Sequence, residues 1–249
     1  MDPLHVATLN LRNLADRWDE RLPLLLADMA ALQPDLMGLQ EVVYPLQQDR
    51  LLGAAGAAEY RAFRGWAGRP EYGNSILVRE PLTAGAPERV DLGRNRSATR
   101  VALKLPGGGG LTFAVTHLHH EVPDAAIRAE QAAAVIDWLD GGASDSDATI
   151  VVGDFNADPA EPAYGRMVAA GFRSAYAEAN GAEPNVTWPS GLQGPAIDDD
   201  GDPGCLDYIW LRGAGRVVGA RLAFDRPAVG DPGLYPSDHF GIAARVEIG

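Results

Sequence analysis

Short apolar runs that favour strands alternate along the chain with amphipathic stretches of helical period. The run LHVATL at residues 4–9 predicts a strand, and DLMGL at 35–39 predicts another. Between these runs, apolar residues share one helical stripe: Leu22, Leu25, Leu26, Met29 and Leu32. We therefore expect a helix there, with Pro23 in its first turn and Pro34 beyond its end.

The middle of the chain is richer in strands than in helices. A helix is predicted over 45–57, and the apolar runs after it predict strands at 60–65, 74–79, 82–92, 98–105 and 111–118. Four glycines at 107–110 separate the last two runs. No Lys-Ser/Thr pair of a phosphate-binding loop follows them, so they indicate a hairpin turn.

The last part of the chain repeats the alternation. A helix is predicted over 124–140, with one apolar face formed by Ile127, Ala134, Val135 and Trp138. The run ATIVVG is typical of a strand buried on both faces. A short helix near 162–170 and strands at 206–211, 216–224 and 240–248 follow. Strand-only stretches mixed with isolated helices predict one α/β domain of two packed sheets with helices outside.

Composition and charge narrow the classes of function. The 249 residues, 46% of them hydrophobic, suffice for one large core. A formal net charge of −13 argues against nonspecific binding of nucleic acid, although a phosphate substrate remains compatible with a site that carries bound cations. Cys205 is the single cysteine, which excludes disulfides and thiolate metal sites. With no transmembrane run and no signal-peptide pattern, we expect a cytoplasmic monomer.

Polar residues recur where the predicted strands end, and such ends are where ligand sites gather in α/β sheets. These residues are Asn10, Glu41, His117, Asp154, Asn156, Asp207, Asp238 and His239. Taken singly, each has an ordinary explanation as a turn, a cap or a solvated side chain. Their repetition at five or more strands favours a shared site. Oxygen ligands and imidazoles without cysteine suit Mg²⁺ or Mn²⁺ better than Zn²⁺.

Six short motifs carry a resemblance to a known family. In order they are TLN (8–10), LQEV (39–42), THL (116–118), GDFN (153–156), LDYIW (206–210) and SDH (237–239), with YGNSILVR (72–79) as a weaker match. The chain resembles the endonuclease/exonuclease/phosphatase superfamily of metal-dependent phosphoesterases. The motifs span nearly the whole chain. The resemblance implies one domain over 1–249, of class α/β (α+β): a four-layer, DNase I-like sandwich of two mixed β-sheets flanked by helices.

The resemblance also implies a division of roles. Glu41 would be the principal carboxylate ligand of Mg²⁺, or of Mn²⁺ as its substitute, with Asn10 as a ligand or its support. Asp238 would help to hold the same ion or a second one. One-metal and two-metal schemes both remain open.

The remaining motif residues would act on the phosphate and the attacking water. His239 would contact the scissile phosphate or accept a proton, and Asp207 would orient its imidazole. Asp154 would position or deprotonate the water. Asn156 and His117 would donate hydrogen bonds to phosphoryl oxygens.

Several residues have two interpretations of similar weight. We assign Arg100, His119 and Trp188 to substrate binding: Arg100 as a phosphate contact or a surface salt bridge, His119 as a pocket residue, and Trp188 as a stacking or packing residue. His120 is expected in water. The stretch DDDGD at 198–202 is expected to be a solvated acidic loop, since it lacks an EF-hand's first and last ligands.

The expected activity is Mg²⁺-dependent hydrolysis of a phosphodiester or phosphomonoester, by metal-assisted in-line attack of water. The acidic balance favours a small or lipid-linked substrate. The alternative is a nuclease acting on DNA or RNA, for which basic residues are present at 93–100 and at Arg61, Arg64 and Arg69. A non-catalytic binding module of the same fold is disfavoured because every motif residue is present.

Overall fold

The computed structural model describes residues 2–55, 59–142, 146–197 and 201–249. The predicted acidic loop at 198–202 falls partly outside the described residues. Among the described helices, none combines the length and the apolar character that crossing a membrane requires.

The strands lie close to the predicted positions. In chain order they are β1 (Leu4–Asn10), β2 (Leu36–Val43), β3 (Tyr60–Ala67), β4 (Arg69–Arg79), β5 (Thr83–Ala84), β6 (Glu88–Gly93), β7 (Arg96–Lys104), β8 (Gly110–His117), β9 (Ala148–Asp154), β10 (Arg173–Ser174), β11 (Asp207–Gly213), β12 (Gly215–Ala223) and β13 (Gly241–Ile248). The helices are α1 (Trp18–Leu32), α2 (Leu46–Ala55), α3 (Ala125–Gly141), α4 (Pro162–Ala169) and α5 (Ala175–Asn180).

These strands form two mixed sheets. The first sheet has the order β12-β13-β1-β2-β4-β3, and its β1–β2 pair is parallel. The second has the order β10-β11-β9-β8-β7-β5, with β6 also pairing with β7 and a parallel β8–β9 pair. The glycine run before β8 makes the predicted hairpin turn between the antiparallel strands β7 and β8.

The two sheets pack face to face, and helices cover their outer faces. Val6 and Ile76 of the first sheet meet Val115 and Val152 of the second in the central core. Leu25 and Met29 of α1 pack on the outer face of the first sheet, and α3 and α4 pack on that of the second. The predicted four-layer α/β sandwich is confirmed.

Three details of the fold differ from the prediction. The predicted strand over 82–92 is two strands, β5 and β6, separated at residues 85–87. The pair β10–α5 was not predicted. Helix α3 buries Arg128, Gln131, Ala132 and Leu139 besides Val135, whereas Ile127, Ala134 and Trp138 are half-buried, so its predicted face was wrong.

Candidate active site

The pairing of β1 with its neighbours brings three motifs to one rim of the first sheet. Because β1 and β2 are parallel, Asn10 lies opposite Gln40, next to Glu41. Strand β13 runs antiparallel to β1 and begins at Gly241, so Asp238 and His239 enter the same rim from the other direction.

The second sheet builds a matching rim. His117 lies opposite Asp154 in the parallel β8–β9 pair, and Asp207 lies opposite Asp154 in the antiparallel β9–β11 pair. Gly153 has a φ of 147°, and a Cβ there would lie 2.0 Å from the Thr116 carbonyl oxygen. Only glycine fits this close approach of β8, immediately before Asp154.

Glu41 owes its orientation to an irregularity in β2. The β2–β4 register shifts between Leu39 and Val42, and Glu41 has a φ of 56°, in the left-handed region. Such a bulge re-aims a side chain at the edge of a ladder. A non-glycine residue held in this region stores strain, which is common at functional sites.

The amide of Asn10 joins the two rims. Its Nδ2 donates to Asp154 Oδ2 at 3.0 Å and lies 3.4 Å from Glu41 Oε1, while its Oδ1 accepts from the Arg12 backbone N–H at 3.0 Å. Asn13 Nδ2 donates to Glu41 Oε2 at 2.8 Å. In this arrangement Asn10 supports both carboxylates.

A buried carboxylate–imidazole pair lies beside them. His239 Nδ1 is 2.9 Å from Asp207 Oδ2, and both side chains are almost fully buried. Burial acts to lower the pKa of His239, but the carboxylates of Asp207 and Asp154 outweigh it and raise that pKa to about 10. The second oxygen of Asp207, Oδ1, is buried without a hydrogen-bond partner among the described residues.

Asp154 lies between two imidazoles. Its Oδ2 is 3.4 Å from His117 Nε2 and 3.8 Å from His239 Nε2, and its Oδ1 accepts from the Asn156 backbone N–H at 2.8 Å. Burial raises the pKa of Asp154 to about 7. Burial, with the nearby charge of Arg96, holds the pKa of His117 well below its usual range, so His117 is neutral at pH 7.

Arg21 fastens the loop after β1 to the segment before Asp238. Its guanidinium is fully buried and donates to backbone carbonyls of Leu11, Arg12, Asn13, Ala15, Asp16 and Pro236, at 2.7–3.3 Å. Ser237 adds a second link, because its hydroxyl donates to the Asn10 carbonyl at 2.6 Å. Two motifs 227 residues apart are thereby held in register.

These residues open into a pocket of about 560 Å³. Asn10, Glu41, His117, Asp154, Asn156, Asp238 and His239 all line it, and Asp207 lies behind His239. Arg12, Asn13, Tyr72 and Arg96 are among the lining residues that were not predicted as site residues. Two of them lie in stretches that carried a signal, Tyr72 in YGNSILVR and Arg96 in the basic run at 93–100.

The structure corrects two substrate-binding expectations. Arg100 does not line the pocket. It donates to Glu88 Oε2 and to the Trp138 carbonyl, both at 2.8 Å, and its guanidinium lies over the Trp138 ring. His119 does not line this pocket; its Nε2 lies 2.9 Å from Asp124 Oδ2, and it lines a neighbouring groove instead. His120 is exposed to water, as expected, and also lines the pocket. Trp188 lines the pocket, as its assignment requires.

The donor set fits a divalent cation. Glu41, Asp154 and Asp238 bring carboxylates to one pocket, and Asp154, Asp207 and His239 offer ligand atoms within 4.8 Å of one another. No cationic side chain among the described residues lies within 4.0 Å of the Glu41 carboxylate, whereas Arg12 Nη1 lies 3.5 Å from Asp238 Oδ2. Oxygen-rich clusters of this kind suit hard ions such as Mg²⁺ or Mn²⁺.

A two-sheet sandwich with carboxylates, amides and imidazoles at one rim is typical of metal-dependent phosphoric ester hydrolases. The chain matches the Endonuclease/Exonuclease/phosphatase family over residues 7–239 and belongs to that family. Members of the family are phosphoester hydrolases.

Individual relatives are similar at lower identity. Nocturnin of Xenopus laevis is 27% identical over 253 residues, which cover 91% of this chain and 64% of that protein. The catalytic domain of human nocturnin, solved with a bound sulfate anion, has a TM-score of 0.79 and 24% identity, covering 100% of this chain and 94% of that one. A mannosyl-6-phosphatase of Bacteroides thetaiotaomicron has a TM-score of 0.79 and 20% identity, covering 98% and 100%. The chain spans just under two thirds of the Xenopus protein's length.

Proposed function

We propose that the protein hydrolyses a small or lipid-linked phosphate ester in a Mg²⁺-dependent reaction, by in-line attack of water, and that it acts as a monomer. The observation that carries this proposal is the Asn10 amide, which contacts the carboxylates of Glu41 and Asp154 beside the Asp207–His239 pair. A cation site and a proton-transfer site therefore share one pocket.

Glu41 and Asp238 would hold Mg²⁺, with Asn10 keeping the Glu41 carboxylate in place. When bound, Mg²⁺ neutralises phosphate charge and acts as a Lewis acid and template. The strain at Glu41 and the two amides on its oxygens preorganise its carboxylate before substrate arrives.

The protein's own groups would handle the water and the developing charge. Asp154 lies between the two imidazoles and would orient the water and accept its proton. His239 would donate to a phosphoryl oxygen from Nε2, because Asp207 and Asp154 raise its pKa to about 10 and keep the ring charged while Nδ1 donates to Asp207. His117 and Asn156 line the same pocket and would donate to the other oxygens in the transition state.

A small substrate fits the charge of the pocket's outer wall. Asp158 and Asp202 line it together with Trp188, whereas the neighbouring Glu161 is paired with Arg128 at 2.9 Å. Asp158 and Asp202 would repel an extended polyanion lying along that wall, while Trp188 offers an aromatic surface to an uncharged group.

A panel of phosphomonoesters and phosphodiesters, assayed with Mg²⁺, with Mn²⁺ and with EDTA, tests the proposal. We expect turnover of at least one small ester with metal and none with EDTA. Turnover that EDTA leaves intact, or no turnover of any ester with either metal, would refute it.

A nuclease is the second candidate. Arginines that line a neighbouring groove, among them Arg69 and Arg94, favour it. The rates at which the protein hydrolyses a small ester, single-stranded DNA and RNA, measured at matched concentrations, distinguish the two candidates.

A further inference from the structure

A second groove, of about 590 Å³, lies beside the active-site pocket. The two share Tyr72, Arg96 and His120 as lining residues, so they form one continuous surface. The second groove is also lined by Arg69, Arg94 and His119. We call it the arginine groove.

The arginine groove is basic in a protein whose formal net charge is −13. Arg96 has no carboxylate within 4.0 Å among the residues that the structure describes, and its guanidinium instead lies 3.0 Å from His120 Nδ1. Arg69 lies 4.0 Å from Glu71, with both side chains more than half exposed, and its guanidinium lies over the Tyr72 ring. Glu121 is the carboxylate of the lining.

The backbone holds these arginines in a defined arrangement. Gly93 pairs with Arg96 across β6 and β7, which leaves Arg94 and Asn95 as a two-residue turn. Their φ values of 54° and 57° are those of a type I′ hairpin turn. Gly68, at the turn between β3 and β4, packs on this hairpin so closely that a Cβ would lie 2.9 Å from Asn95 Oδ1. The turn at 94–95 and the turn at Gly68 thus position the backbone that carries the groove's arginines.

We infer that the arginine groove binds a second anionic group of the substrate. The enzyme then prefers phosphate esters that carry a second phosphate near the scissile one. This inference rests on the proposed function of the adjoining pocket. Arginine forks bind phosphate through paired charge-assisted hydrogen bonds. Arg96 lies at the junction, where it faces both the reacting phosphate and the second one.

The second phosphate has two sources with the same chemistry. It belongs to a small bisphosphate or to the next linkage of a nucleic-acid strand. The acidic residues Asp158 and Asp202 of the adjoining pocket favour the small bisphosphate, because a long strand would have to pass them as well.

Binding to the Asp154→Asn variant, measured by calorimetry with Mg²⁺, tests the inference without turnover. Glucose 1,6-bisphosphate is compared with glucose 1-phosphate and glucose 6-phosphate. We expect the bisphosphate to bind at least roughly tenfold more tightly than either monophosphate. Adding Arg94→Ala should reduce this ratio to about twofold or less and leave the monophosphates unchanged. Arg94→Lys should retain part of the ratio because it keeps the charge.

The matched control is Arg216→Ala. Arg216 is an exposed arginine of β12 that pairs with Glu247 of β13. Glu247 lies near the C-terminal end of β13, whereas His239 lies just before the start of that strand. Arg216→Ala removes one positive charge, as Arg94→Ala does, and should leave the ratio of bisphosphate to monophosphate affinity unchanged. A ratio near one in the Asp154→Asn variant itself, or a ratio that survives both Arg94→Ala and Arg69→Ala, would overturn the inference.

A single-stranded tetranucleotide distinguishes the two sources. If Arg94→Ala weakens binding of the bisphosphate and leaves binding of the tetranucleotide unchanged, the groove serves small esters. If Arg94→Ala weakens binding of both ligands, the groove also accepts a strand. Either result supports an anion-binding site in the groove. Loss of the proposed function is seen separately: wild-type protein would then hydrolyse no ester while the Arg94-dependent binding ratio persisted.

Discussion

Asn10 shows how much of the site depends on a single side chain. Its amide contacts a carboxylate from each sheet, and its backbone carbonyl accepts from Ser237 of a third segment. Asn10 and its partners were predictable because each ends a strand in a motif. Asn13 was not, because its contact with Glu41 depends on the path of the loop after β1, which no periodic pattern specifies.

The paired histidines illustrate the same limit. His119 and His120 are adjacent, so the sequence indicates only that a loop there carries imidazoles. The direction of the chain after β8 decides which one faces the pocket. The side chain of buried Gln131 accepts from the His119 backbone N–H at 2.8 Å, and the His119 imidazole lies 2.9 Å from the Asp124 carboxylate. His120 is left to line the pocket.

Asp207→Asn should lower kcat by about 10²–10⁴-fold with little change in KM. An amide at this position cannot stabilise a charged imidazole and can hold His239 in the wrong tautomer. Steady-state kinetics on the best ester of the panel measure the effect. Asp140→Asn, a surface carboxylate paired with Arg212, is the control and should match wild type. A change of less than about threefold in kcat for Asp207→Asn would exclude this role.

Arg21→Lys should destabilise the protein by about 2 kcal/mol or more, because an ammonium has three donors and cannot serve six carbonyls spread around a guanidinium. Urea denaturation measures the free energy of unfolding. Arg173→Lys, at an exposed ion pair with Glu178, is the matched control and should change it by less than about 0.5 kcal/mol. If Arg21→Lys and Arg173→Lys had the same free energy of unfolding, the stabilising role that we assign to Arg21 would be wrong.

At the scale of elements, periodicity identified the long strands and helices because their apolar patterns run over several turns or pleats. Strand β10 and helix α5 were missed because two and six residues are too few to show a period. The face of α3 was misassigned for another reason. Arg128 is buried there because Glu161 and two backbone carbonyls satisfy its guanidinium, and partners from elsewhere in the chain are invisible to a local pattern.

Contact between the sheets is closest at Gly38 of β2. A Cβ there would lie 2.3 Å from Val152 Cγ2 and 3.0 Å from Val115 Cγ2. Gly38→Ala should therefore lower the free energy of unfolding by about 1–3 kcal/mol through overpacking, as measured by urea denaturation.

Gly53→Ala provides the matched control. Gly53 lies within α2, and a Cβ there meets nothing within 4 Å. The same change should be neutral or stabilising by up to about 1 kcal/mol, since alanine favours a helix. If both variants behaved alike, the close approach of the two sheets at Gly38 would be wrong.

At the scale of the whole molecule, charge is unevenly distributed around the active-site pocket. Arg69, Arg94 and Arg96 line the adjoining arginine groove, Asp158, Asp202 and Trp188 line the pocket, and the formal net charge is strongly negative. Net charge was available from the sequence. This local distribution was not, because Arg69, Arg94 and Asp158 come to neighbouring surfaces only through the packing of separate turns.

Hydrolysis of the preferred small ester should fall by less than about tenfold in kcat/KM between about 50 mM and about 200 mM NaCl. Few charges contact such a substrate, so few counterions are exchanged. A protein that neutralises many phosphates would lose roughly 10³-fold or more over that range. A loss of that size with the preferred substrate would favour the nuclease.

The most direct test of the account is Mg²⁺-dependent phosphate release by Glu41→Gln, compared with wild type and with Glu130→Gln on the exposed side of α3. The substitution keeps the shape of the side chain and removes the charge that would hold the cation. We predict a fall in kcat of at least about 100-fold for Glu41→Gln and none for Glu130→Gln. Wild-type turnover by Glu41→Gln, at any Mg²⁺ concentration that supports wild type, would contradict the account.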